Sequence, residues 1–103
     1  MTGTERLKHL VSVLNQHIVI LSSNIEADDY LYQNRDVRNI CEILKFRKKD
    51  VEYHLKNFDN DTYRYIVASK VTDVMSDIYM YASSHNEIAA KTASDILDAL
   101  MEI

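Results

Sequence analysis

The stretch LKHLVSVLNQHIVILSSNI, Leu7 to Ile25, decides the fold class of this chain. Its apolar residues Leu7, Val11, Leu14, Ile18, Leu21 and Ile25 recur at alternating spacings of four and three. That rhythm is a heptad seam, with leucine at one core position and β-branched residues at the other. A second column, Val13, Ile20 and Ala27, lies well around the same helix, and Leu10 and Val19 add further apolar surface. One neighbour cannot cover both columns, so this first helix is expected to be central and to touch at least two others. Thr2-Gly-Thr-Glu5 has the capping-box pattern, in which Thr2 and Glu5 satisfy orphan amide groups reciprocally. The acidic end near Glu26-Ala-Asp-Asp29 is electrostatically poor for a helix C-terminus, which allows the helix to continue through Tyr30 and Tyr32.

Working outward, Asp36 is the expected N-cap of a second helix that runs to about Phe58, with Val37, Ile40, Cys41, Leu44, Val51, Leu55 and Phe58 inward. Asp59-Asn60-Asp61-Thr62 is the clearest turn, with Asp59 or Asp61 expected to cap the third helix. That helix repeats the four-three rhythm at Val67, Val71, Val74, Ile78 and Tyr81, with Tyr63 and Met75 flanking. Ser83-Ser84-His85-Asn86 is poor helix material and Ser84 to Glu87 matches a second capping box, so a break is expected there. A fourth helix would then carry Ala89, Ala93, Ile96, Leu97 and Leu100.

The chain has no proline and one glycine, Gly3, which the reading leaves outside any element. So few turn residues exclude a fold built on tight hairpins. Short polar loops between successive helices make antiparallel neighbours. The expected fold is therefore all-α: one domain over residues 1–103, an antiparallel bundle of three to four helices. The surplus apolar surface of the first helix adds an expectation of self-association.

Composition narrows the function classes. With 47% hydrophobic and 27% charged residues the chain can bury a core without staples, so wholesale disorder is excluded. The longest stretch without Asp, Glu, Lys or Arg, Leu10 to Ile25, contains Asn15, Gln16, His17, Ser22, Ser23 and Asn24 and is too short and polar to span a bilayer. One cysteine and no visible targeting signal fit a soluble, cytoplasmic protein. Charge is uneven: residues 35–56 carry seven basic and four acidic groups, whereas residues 57–103 carry three basic and eight acidic. Such halves neutralise each other as readily as they attract a partner.

No catalytic constellation is complete. Asp28 and Asp29 are adjacent and diverge on a helix, and Asp73 and Asp77 lie one turn apart without a second acidic cluster. The histidines His9, His17, His54 and His85 lack the Glu-x-x-His spacing of a di-iron bundle, and His85-Asn-Glu87 lacks the Cys-x-x-Cys partner that would hold zinc. Cys41 shares an apolar face with Val37, Ile40 and Leu44, which predicts a buried, inert thiol. A glycine-rich phosphate loop is impossible with one glycine at position 3. No enzyme, cofactor or metal is expected.

Two sets of residues remain. Tyr65 and Tyr79 fall on one column away from the core seam of the third helix, and Phe46 and Tyr53 do the same on the second. Outward aromatic columns belong to interfaces more than to free surfaces. Phe46, Tyr53, Tyr65 and Tyr79 are the expected contact residues of a small interaction protein, an adaptor, inhibitor or regulator, that binds itself and another protein. The alternative is a nucleotide- or nucleic-acid-binding bundle using the basic set Arg38, Lys45, Arg47, Lys48 and Lys49. Against it, Glu42, Asp50 and Glu52 lie in the same stretch, and Arg47 and Lys48 are expected opposite Ser22 and Ser23 in a shared hydrophilic layer.

Overall fold

The computed structural model describes residues 2–85, 90–91 and 94–98, the side chains of residues 32, 79 and 81–85 excepted. The fold is all-α, with no strand among the described residues. Helix α1 spans Gly3–Ala27, α2 Asp29–Gln33, α3 Arg35–Asn57 and α4 Asp61–His85. Residues 90–91 and 94–98 are helical as well.

The start of α1 follows the sequence: Thr2 is its N-cap, and the Thr2 Oγ1 accepts from the Glu5 amide at 3.1 Å. Gly3 departs from expectation, for it is the first residue of α1 and is buried. A Cβ at that position would collide with the Asp61 carbonyl oxygen and come within 2.6 Å of the Tyr65 amide nitrogen. The chain's one glycine therefore marks where α1 and α4 lie backbone to backbone. Asp61 also departs from expectation. The cap of α4 is Asn60, whose Oδ1 accepts from Tyr63 N–H at 2.9 Å. The Asp61 carboxylate instead crosses to α1, where it accepts from the amides of Gly3 at 3.0 Å and Thr4 at 2.9 Å. Those amides are orphan donors of the first turn, so one carboxylate caps a helix 57 or 58 residues away in sequence.

Helix α1 stops at Ala27 and does not continue through Tyr30 and Tyr32. Asp28 takes an extended conformation, and its Oδ1 accepts from the Tyr30 amide at 2.9 Å, which caps a new five-residue helix, α2. The next cap is Asn34, not Asp36, with the Val37 amide donating to Asn34 Oδ1 at 3.1 Å. Because α2 takes up part of the connection, α1 and α3 meet in a different register from the expected one. Lys48 Nζ donates to Asn15 Oδ1 at 3.0 Å, and Cys41 Sγ lies 3.6 Å from Ser22 Oγ. Lys48 thus lies opposite Asn15 and not opposite Ser22–Ser23. The turn after α3 brings Tyr63 back beside His54.

Leu7, Leu14, Val37, Leu44 and Val51 are fully buried, joined by Leu10, Val13, Leu21, Ile40, Cys41, Val67, Ala68, Val71, Met75 and Ile96. Burying a leucine or valine of this kind contributes about 1.5–3 kcal/mol. Helix α1 touches α2, α3 and α4, as expected of a central helix. The buried stripe is rotated from the seam read in sequence. Leu10 and Val13 are buried, whereas Val11, Ile18 and Ile25 are only partly covered. Of the second column, Ile20 and Ala27 remain exposed. Helix α4 runs through Ser83 and Ser84 to His85, and the expected break and capping box extend into 86–89, outside the described residues. No helix among the described residues is long and apolar enough to cross a membrane.

Two outcomes follow from the α1–α4 contact. Replacing glycine by alanine in a helix ordinarily stabilises by about 0.5–1 kcal/mol. Gly3→Ala should instead destabilise by roughly 1–3 kcal/mol, since two backbones must part to admit the methyl group. A thermal melt with an unchanged or raised Tm would contradict that close approach. The Gly3 and Thr4 amides, chiefly, hold the Asp61 carboxyl below its ordinary value of 3.8. A depressed folded-state pKa gives stability that is complete above the unfolded value and is lost as pH falls through the folded one. The Tm advantage of the wild type over Asp61→Asn should therefore shrink as pH falls below about 4, and a constant gap would show that the charge is immaterial.

Candidate functional site

Aromatic side chains gather where α3 gives way to α4. Helix α3 ends because Phe58 turns extended, its amide still donating to the His54 carbonyl at 3.2 Å. Asp59 and Asn60 complete the reversal, and this tight corner puts His54, Phe58 and Tyr63 in mutual contact. Ring centroids are 5.6 Å apart for His54–Phe58, 5.5 Å for His54–Tyr63 and 5.2 Å for Phe58–Tyr63. Tyr53 joins edge-on, 5.7 Å from His54 and 6.1 Å from Phe58. Aromatic pairs at such separations add about 0.5–1.5 kcal/mol beyond their burial. Yet Tyr53, Phe58 and Tyr63 all stay exposed, so the cluster is a surface and not part of the core.

Arg64 holds the corner in place. Its Nε donates to the Phe58 carbonyl at 2.7 Å and its Nη2 to the Leu55 carbonyl at 2.8 Å, which satisfies acceptors at the end of α3. Its Nη1 donates to Thr4 Oγ1 at 2.8 Å, tying the same corner to the start of α1. Within the corner, the Tyr63 hydroxyl and His54 Nδ1 lie 3.3 Å apart, and His54 Nε2 is 3.5 Å from Asp50, which is 3.9 Å from Arg47. This Tyr–His–Asp order superficially suits proton transfer. Its contacts are longer than the roughly 2.6–3.2 Å of a working relay.

The expected contact residues divide between two faces. Phe46 and Tyr53 are 63% and 57% exposed on α3, and Tyr53 leads into the aromatic corner. Tyr65 is exposed but lies toward α1, with the Arg6 guanidinium carbon 4.6 Å from its ring centroid. The Tyr79 side chain lies outside the described residues. Sequence reading missed Phe58 and Tyr63, which were assigned to core seams. The available signal was their position on either side of the Asp59-Asn60 turn, where a reversal must bring flanking side chains together.

The basic set does not form one site. Lys45 pairs with Glu42 at 3.3 Å, Arg47 with Asp50 at 3.9 Å, and Lys48 with Glu52 at 3.6 Å. Arg38 and Lys45 line a cleft between α1 and α3, whereas Arg47 lines another between α3 and α4 with Tyr63 and Lys70. Lys49 is exposed on the surface. Asp73 and Asp77 are likewise separated, lining two different α3–α4 clefts, and no group of metal-ligating residues occurs among the described residues. Cys41 is buried against Ser22. His17 is half-buried on α1, and desolvation lowers its pKa below 6.5 while Asp95 opposes the shift. Comparison with family models, curated proteins and solved structures found no match.

Proposed function

We propose that this chain is a small, soluble helical interaction protein that acts by binding itself and another protein, without catalysis. As an adaptor, inhibitor or regulator it would use an antiparallel bundle of three to four helices as a rigid support. The contacts Lys48–Asn15 and Cys41–Ser22 between α1 and α3, and Tyr63–His54 between α4 and α3, favour that arrangement. The observation that carries the functional reading is the exposed aromatic surface Tyr53–Phe58–Tyr63, continued along α3 by Phe46. Phe46 and Tyr53 are seven residues apart, about 10 Å along one helix face. Rings already locked against one another lose little entropy on binding, which is why aromatic residues serve as anchors of interfaces. The pairing of Lys45, Arg47 and Lys48 with carboxylates on their own helix weakens the nucleic-acid alternative.

The test is assembly. Wild-type protein on the order of tens of micromolar should show a mass above the monomer by light scattering, as an interface of low-micromolar affinity requires. The combined serine variant of Phe46, Tyr53, Tyr65 and Tyr79 should keep its helical circular dichroism and lose both self-association and partner capture. A monomeric wild type removes the self-association reading. Unchanged assembly and capture in the variant remove the assignment of these residues.

A further inference from the structure

The groove between α3 and α4 has a volume of 380 Å³. Small-molecule pockets span roughly 300–1,000 Å³ and set a few convergent polar groups in apolar walls. Here Ile40 and Ile43 line the α3 side, and Val74 and Ile78 the α4 side. Ile40 is buried, whereas Ile43, Val74 and Ile78 are only partly covered, so aliphatic surface stays open to a ligand. The polar lining is Asp36, Asn39 and Asp77. Positions 36, 39, 40 and 43 fall on one face of α3, and 74, 77 and 78 on one face of α4. Each helix thus sets a carboxylate within one turn of an aliphatic residue in the same groove.

The charge of this lining has one sign. Among the described residues no Lys, Arg or His lines the groove, and neither Asp36 nor Asp77 forms an ion pair. Asp36 lies in the first turn of α3, whose positive dipole end offsets part of its charge. Asp77 lies in the interior of α4, and its neighbours one turn away in sequence are Asp73, Val74, Met80 and Tyr81, none of them a cation. The lining is therefore anionic on Asp77 alone.

We infer that this groove binds a small organic monocation, a primary ammonium carried on an aliphatic body. The ammonium head meets the carboxylates of Asp77 and Asp36, and the body covers Ile43, Val74 and Ile78. The three N–H donors of a primary ammonium match these carboxylates and the side-chain oxygen of Asn39. A quaternary ammonium fits worse, because it has no N–H to donate and the described lining offers no aromatic ring. The inference goes beyond the proposed protein interface and is independent of it, since the groove includes none of Phe46, Tyr53 or Tyr65.

Amide NMR titration of the full chain tests it with four probes: cyclohexylmethylammonium, its N-trimethyl analogue, cyclohexylacetate and methylammonium. The first should give saturable shifts at Asn39, Ile43 and Asp77, and bind more tightly than the other three. Its affinity should fall roughly tenfold in Asp77→Asn, the effect of one lost charge-assisted contact. Asp73→Asn, one turn away in a different cleft, should leave the affinity unchanged. Ile43→Trp, which fills the groove, should abolish the shifts and provides a second variant if Asp77→Asn does not fold. The inference fails if cyclohexylmethylammonium gives no saturable shifts, or if cyclohexylacetate or methylammonium binds as tightly. Equal weakening by Asp73→Asn and Asp77→Asn would reduce the effect to diffuse attraction and overturn it, as would wild-type affinity in a folded Asp77→Asn or Ile43→Trp. Shifts at the same amides on diluting the free protein would assign the groove to a second copy of the chain and overturn it too.

Discussion

The close approach of two helix N-termini is the constraint from which the rest of the molecule follows. Helices α1 and α4 begin side by side, with Gly3 against the backbone of Asp61 and Tyr65. Two N-termini together put two positive dipole ends and two sets of orphan amides in one place. The Asp61 carboxylate answers both, since it sits in the first turn of α4 and accepts from the first amides of α1. The C-terminus of α3 arrives at the same end with the opposite polarity, and Arg64 meets its carbonyls. The Thr4 hydroxyl links the two charges: it donates to Asp61 Oδ1 at 3.1 Å and accepts from Arg64 Nη1. The start of α1 and the end of α3 are thus satisfied by two side chains three residues apart.

This divides the molecule into unlike ends. At the Gly3–Asp61 end, Asp61 and Arg64 meet the backbone groups of the helix termini, and the aromatic corner of Tyr53, Phe58 and Tyr63 lies beside them. Toward the opposite end, Ser22, Ile25, Arg35 and Arg38 line a cleft between α1 and α3, and α3 and α4 leave a 380 Å³ groove lined by Ile40, Ile43, Val74 and Ile78. A polar junction fixes geometry because its hydrogen bonds are directional, whereas apolar packing tolerates gaps.

Much of this was legible in the sequence, and the missed parts share one cause. Leu7, Leu14, Val37, Leu44, Val67 and Val71 were readable as core because helical periodicity is a local signal. The Thr2 cap was readable for the same reason. Asp61 was misassigned because a capping residue was sought for its own helix, while its partners lie on another. Gly3 looked like slack at a terminus, since nothing nearby shows that a backbone will be packed against it. The register of α1 on α3 went wrong because Asp28 restarts the chain as α2, and five residues of helix cover less distance than five of loop. The carboxylates that offset the basic stretch were legible too, since Glu42, Asp50 and Glu52 lie within one turn of Lys45, Arg47 and Lys48 on the same helix.

The Gly3–Asp61 junction also has a kinetic meaning. The α1–α3 and α3–α4 pairings each close a short connection, and either can form while the rest of the chain is loose. The Gly3–Asp61 contact spans 58 residues, so its closure is entropically costly until both pairings have brought the two N-termini near each other. It therefore belongs among the last native contacts made and the first released. Perturbing it should leave the folding rate nearly unchanged and speed unfolding, a difference that the two arms of a chevron separate. The residue pair that organises the finished molecule acts as its latch, holding a structure that other contacts assemble.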